Sequence, residues 1–369
     1  MKKVRENMFL FFKILLAVSA VIFCTVGTSY AKAAVSDAVM RCLTTVIPSL
    51  YGMMILSGFL IKSGLTERFP HFITKIGKFL FGMDGGIFPI FIISMFAGYP
   101  VGAKMLCAEA ESGAIDRRTA ELLAGVCFGA GPAFIFGCIS SQLYGEPTAG
   151  RLIIISTISA NVIIALLLSP KIRKKGFRSS EGGRLRLTAD TLTESILSGG
   201  RSMADICIMI AAFSIISSFL DCSGILGMGA ELISKAAGIS AEYSEGLLRA
   251  FLDVTAVDTL PQGNYNLLPA VCGLTSFGGV CVIMQISAIT SGKIGIAPML
   301  IIRSTAALLS GAVCRLLMTF MLSDTAVSAA ELNFSMHRAD SPVPSFLLII
   351  MTLLLFSEYE KAPRKNSKL

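Results

Sequence analysis

The chain has no tryptophan, only two histidines, and 15% charged residues. A soluble domain carries about a quarter. With His71 and His337 as the whole imidazole complement, His-based acid–base chemistry has little to work with. The ten cysteines contain no Cys-x-x-Cys pair and lie mostly in apolar segments, so the spacing of a Cys/His zinc site is missing. There is no Gly-x-Ser-x-Gly elbow, no His-Glu-x-x-His, no P-loop and no Gly-x-Gly-x-x-Gly. The expectation is a protein that is not an enzyme and carries no metal or cofactor.

What is present is apolar. Hydrophobic residues make up 54% of 369, and the mean hydropathy is +0.73. Several runs reach the ~20 residues that a spanning helix needs. Spans are expected near 9–30, 43–61, 119–141, 151–169, 203–220, 267–290, 299–322 and 345–357. The fold class is therefore all-α and polytopic, with about eight transmembrane helices. The N-terminus imitates a secretory signal, with Lys2, Lys3 and Arg5 before an apolar run and Ser29-Tyr30-Ala31-Lys32-Ala33 after it. The run from Phe9 to Tyr30 is long for such a signal, and it reads as an uncleaved first helix.

Two further apolar stretches are broken. The first, 86–105, is interrupted by Gly98, Pro100 and Gly102. Pro100 lacks an N–H and disfavours helix geometry at Tyr99, which argues against one straight span. Freed backbone groups at membrane depth are tolerated only where protein or a water-filled cavity satisfies them. The second, 247–262, carries Asp253, Thr255 and Asp258. Both read as re-entrant helical hairpins.

The halves resemble one another. Ser57–Leu65 aligns with Ser217–Ile225 at five identities in nine, and Leu152–Thr157 with Leu300–Thr305 at five in six. Between these, Phe128-Gly129 falls opposite Phe277-Gly278, and the two hairpins fall opposite each other. A duplication follows, giving an N-terminal helix (1–35), a first repeat (36–169), a basic cytoplasmic linker (170–201), a second repeat (202–322) and a C-terminal loop, short helix and basic tail (323–369). With the N-terminus in the cytoplasm and each hairpin returning to its own side, 24 Lys and Arg lie inside and six outside, with Arg303 and Arg315 within a helix. This obeys the positive-inside rule. It accounts for the net charge of +8 without nucleic acid, and it makes the repeats inverted. Arg303 reads as a residue near the cytoplasmic end that snorkels to the interface.

Candidate binding residues cluster at the interruptions. Gly98, Tyr99, Pro100 and Gly102 form the first tip, and Lys104 adds a cation beside it. Asp253 and Thr255 belong to the second, where acidic groups in an apolar setting default to function. Gly131 and Pro132 weaken the 119–141 span. Thr275, Ser276, Phe277, Gly279 and Gln285 line a segment weakened by Gly278-Gly279. Two unwound helices facing each other offer backbone groups to a polar ligand. The rival reading for the small residues is packing glue.

The order of hairpin, broken helix and helix, repeated in inverted form, resembles the concentrative nucleoside transporter fold and the nucleoside-recognition Gate domains. Pro48-Ser49-Leu50, Gly98-Tyr99-Pro100-Val101-Gly102-Ala103-Lys104, Pro132-Ala133-Phe134-Ile135 and Ser276-Phe277-Gly278-Gly279…Gln285 resemble the YlbJ-type sporulation integral membrane proteins over roughly residues 35–322. Nucleoside transporters carry glutamine, threonine and glutamate where this chain has Tyr99, Pro100 and Val101. The second hairpin has Asp253-Val254-Thr255 where YlbJ-type proteins usually have glutamate. The resemblance implies export of a small aromatic dicarboxylate such as dipicolinate during spore formation. The reading is a cell-membrane transporter of a small polar or anionic solute, in a forespore membrane if the resemblance holds. Its partners are the lipid bilayer, the solute, and a coupling proton or sodium ion, with a homo-oligomer left open. A non-transporting spore-assembly protein and a nucleoside transporter are the alternatives.

Overall fold

The computed structural model describes residues 21–321 apart from 22, 24, 26, 85 and 174–184. The described chain is helical, without a strand. Five of its helices are long and apolar enough to cross a membrane: Thr28–Lys62, Pro147–Arg173, Ala189–Cys222, Tyr265–Ile289 and Ile296–Met321. The shortest has 25 residues, or about 38 Å at 1.5 Å per residue, against a hydrocarbon core of about 30 Å. The expected span at 345–357 lies outside the described residues, as does most of 9–30.

Two expectations are corrected, and the stretch expected as a linker carries helix at both of its described ends. The 43–61 span is the second half of one 35-residue helix, Thr28–Lys62, with a π-helical stretch at Cys42–Val46. Residues 29–46 contain neither glycine nor proline, and four alanines favour helix, so nothing local stops it. The 119–141 segment is not one span. It is Arg117–Val126, then non-helical backbone to Gly131, then helix over 132–144. The linker expected at 170–201 is helical up to Arg173 and again from Ala189. There Thr188 starts the long helix by accepting the Thr191 N–H at 3.2 Å.

Thr28–Lys62 and Ala189–Cys222 are peripheral, with 17% and 22% of their most apolar stretches buried. Tyr265–Ile289 and Pro147–Arg173 are central, at 61% and 50%. The peripheral pair meets where Gly58 lies against Ser195 and Gly199 against Ile55. The Ile296–Met321 helix packs on Leu268–Phe277 with Gly273 against the Ala307 carbonyl and Gly311 against that of Pro269. Without a hydrophobic drive between helices in lipid, close approach at small residues supplies the attraction.

Polar contacts gather the connections at two ends. At one, Lys62 pairs with Glu194 at 3.0 Å, the Arg186 N–H bonds Ser63 O, and the Gly295 N–H bonds Glu121. Lys293 pairs with Glu111 there, and its hydrogen bond holds that carboxyl below the usual carboxylate range while raising its own ammonium. At the other, Arg41 pairs with Asp258 at 3.7 Å, Arg249 with Asp221 and Glu245, and the Gly263 N–H bonds Leu143 O at 2.8 Å.

Candidate functional site

The first interruption joins two short helices, Ile87–Ala97 and Tyr99–Glu111, through Gly98 at φ 96° and ψ 160°. That conformation suits glycine alone among the natural residues. Pro100 then opens the second helix, where its missing N–H costs nothing. The other interrupted stretch differs in form. Ala241–Leu252 ends at Asp253, and a 3₁₀ turn over Val254–Thr259 follows instead of a second α-helix. Thr255 and Thr259 are β-branched and Pro261 follows within two residues, all unfavourable to α-helix.

The two long broken segments sit between these tips. Gly131 (φ 63°) starts the 132–144 helix, and a methyl on it would lie 3.3 Å from the Gly98 N. Gly278 (φ 88°) and Gly279 (φ 78°) divide Leu268–Phe277 from Gly279–Ile289. In each half a glycine at the break abuts the backbone of the interrupted stretch before it. Gly129 lies against Ser94 and Met95, and Gly279 against Ala250, Phe251 and Val254.

A small cavity of about 20 Å³, room for about one water, opens between the four interruptions. Tyr99, Pro100, Ala130, Thr255, Val282 and Gln285 line it, with Ser49 and Leu50 of the Thr28–Lys62 helix. The expected residues therefore divide. Tyr99, Pro100, Thr255 and Gln285 reach the cavity. Gly98, Gly131 and Gly279 shape its walls by backbone geometry. Pro132 starts the 132–144 helix, and Phe277 stacks on Phe251 at 5.2 Å.

Five candidates have duties other than presenting free groups to a ligand. The Lys104 ammonium donates to Ser198 Oγ at 2.9 Å and Ser202 Oγ at 2.8 Å on the Ala189–Cys222 helix, and it is not among the lining residues. Asp253 is buried, and its carboxylate accepts the Thr255 N–H at 3.0 Å and hydroxyl at 2.8 Å, capping the turn it precedes. Gly102 is packed so closely that a methyl would stand 2.1 Å from the Cys127 carbonyl oxygen. Tyr99 donates its hydroxyl to Thr275 O at 2.7 Å, while the Thr275 hydroxyl bonds Val271 O within its own helix.

The largest departure from expectation is Arg303. It does not reach the interface but is fully buried, at 0% exposure. Its guanidinium donates to Asn161 Oδ1 at 2.7 Å and Ser276 O at 3.2 Å, and lies 4.7 Å from the centre of the Phe128 ring. Asn161, which sequence reasoning passed over, donates from Nδ2 to Phe128 O at 2.7 Å. One side-chain pair thus ties the carbonyls of both helix breaks. Phe128 also packs on Tyr99 at 4.9 Å with the rings tilted by 51°, so Arg303, Phe128 and Tyr99 form a row of contacts leading to the cavity. A signal was available: the single mismatch in the five-of-six repeat match is Ile155 against Arg303. An intramembrane ionisable residue defaults to function.

Interrupted helices whose breaks face one another inside a frame of spanning helices define an all-helical integral membrane protein. No family model matches the chain, and no solved structure does. Among curated proteins, the sporulation integral membrane protein YlbJ of Bacillus subtilis (strain 168) is 27% identical over 130 residues. That match covers 35% of this chain and 32% of YlbJ, about a third of the relative's length. The chain is thus a membrane protein related to a sporulation integral membrane protein.

Proposed function

We propose that this protein is a transporter of a small polar or anionic solute in a membrane of the sporulating cell, with its solute held at the cavity between the four interruptions. The observation that carries this is the convergence of Tyr99–Pro100, Ala130, Thr255 and Val282–Gln285 on one space. Discontinuous helices meeting at a central site are how many secondary transporters hold their substrates. The helices beginning at Tyr99 and Pro132 present their N-termini there, which favours negative charge. At about 20 Å³ the site is too small for such a solute in this conformation, and binding requires the tips to part. The resemblance to YlbJ-type proteins makes an aromatic dicarboxylate such as dipicolinate the first cargo to test, with the protein multi-pass and its N-terminus cytoplasmic.

Uptake of labelled dipicolinate into vesicles containing the purified protein tests the reading. Gln285→Leu removes one buried hydrogen-bonding group from the cavity wall and should raise KM about tenfold, equivalent to about 1.4 kcal/mol. Lys104→Ala, off the cavity, should leave KM within about twofold. Wild-type vesicles that move neither the acid nor a nucleoside would sink the transporter reading. A structural role in spore assembly would then be the better account. One observation favours that rival: the break carbonyls of Phe128, Thr275 and Ser276 are already satisfied by side chains.

A further inference from the structure

Two half-helices, Arg117–Val126 and Leu268–Phe277, end at the facing breaks. A helix C-terminus behaves as roughly half a negative charge. Two of them brought together make about one negative charge inside the membrane. Unwound carbonyls and half-helix C-terminal ends are the groups with which interrupted-helix transporters coordinate a coupling cation. Here a guanidinium stands in that place. Arg303 bonds Ser276 O directly and reaches Phe128 O through Asn161, while the Phe128 ring turns a face toward it. Both oxygens that Arg303 binds are neutral, and its Nε is buried without a hydrogen-bond partner. No carboxylate is needed to account for the buried cation, because the two helix ends and the ring supply the compensating charge.

We propose that Arg303 is a resident cation: its guanidinium occupies the position between the facing helix breaks that a bound monovalent metal ion would otherwise take. The protein therefore needs neither sodium nor potassium to hold the two breaks together. Where the transport reading above holds, solute movement is independent of a sodium gradient as well. Asn161 is the positioning residue, since one side of its amide holds the guanidinium and the other holds the first break.

The test is thermal unfolding of the purified protein in sodium, potassium and choline chloride at equal ionic strength. Wild type should melt within about 1 °C in all three. Arg303→Gln keeps hydrogen-bonding capacity but loses the charge, and should melt at least ~5 °C lower in choline. Arg303→Lys keeps the charge and should recover at least half of that loss. Arg303→Ser, which leaves room as well, should gain 2 °C or more in sodium or potassium over choline. A wild-type protein stabilised by sodium, or an Arg303→Gln variant melting with the wild type, would overturn the proposal. So would a Ser variant indifferent to the cation. If the Ser variant does not fold, the Gln and Lys comparison decides. None of these arms depends on transport. Vesicles that move no solute would remove the proposed function and leave the resident cation standing. Vesicles that move solute only down a sodium gradient would refute the inference alone.

Discussion

Gly102→Ala adds one methyl group at the closest helix approach around the site. The new carbon would lie 2.1 Å from the Cys127 carbonyl oxygen and 2.7 Å from Ser94 Cβ. Carbon contacts are comfortable near ~3.5 Å, so the Tyr99–Glu111 helix and the 127–131 backbone would have to part by roughly 1 Å. Neither neighbour is the far end of a flexible side chain, so the strain cannot be relieved by a rotamer change. Overpacking of this kind costs about 1–3 kcal/mol, and backbone opposition puts it at the upper end. At about 2–4 °C per kcal/mol, a fall of 4 °C or more follows. Parting would also pull Tyr99 from Phe128, so damage reaches the cavity. Among the described residues seven cysteines are buried, so a thiol-reactive dye reports melting directly. Gly52→Ala is the control. It is exposed in mid-helix with nothing within 4 Å, and should gain about 0.5–1 kcal/mol from helix propensity. If Gly102→Ala melts within 1 °C of wild type, the close packing of the first tip on the first break is wrong.

Asp253→Ala should cost about 1–2 kcal/mol by uncapping the Val254–Thr259 turn, while Asp253→Asn keeps an acceptor and should lose less than half as much in the same dye assay. Because Glu111 is held below its ordinary range by Lys293, the pair's stabilisation is present above the usual glutamate range and fades as pH falls through the depressed value. The melting curves of wild type and Lys293→Gln should therefore differ near neutral pH and converge in acid; a gap that is constant with pH would contradict this. Single cysteines at 142–150, in a background lacking the native cysteines, should react with an impermeant thiol reagent in intact cells, and those at 171–186 should not. The reverse pattern would overturn the orientation.

Much of the architecture is a local property of the chain and could be read without coordinates. Long apolar runs with few charges specify spanning helices, because lipid penalises any unsatisfied backbone. The interruptions at Gly98-Tyr99-Pro100 and Gly278-Gly279 follow from single-residue backbone preferences. The 127–131 break was visible in the same glycines and proline, although hydropathy alone joined the segment into one span. The continuity of Thr28–Lys62 is not legible in hydropathy, because Lys32, Asp37 and Arg41 interrupt the apolar run, whereas on the folded protein Asp258 and Ser214 meet Arg41.

Tertiary structure decided the partners. Lys104 beside the tip looked like a ligand's counter-charge, until the long Ala189–Cys222 helix placed two serine hydroxyls against it. Asp253 looked costly in an apolar stretch, yet its own neighbour Thr255 satisfies it. Arg303 could be priced from sequence only by its depth and an assumed path to water. What fixes its role is that residues 128, 161 and 276, far apart in the chain, arrive around it together. Hydropathy and backbone preference act over a few residues, and so are written locally. The balance of a buried charge depends on every dipole within a few ångströms, and only the folded chain brings those into place.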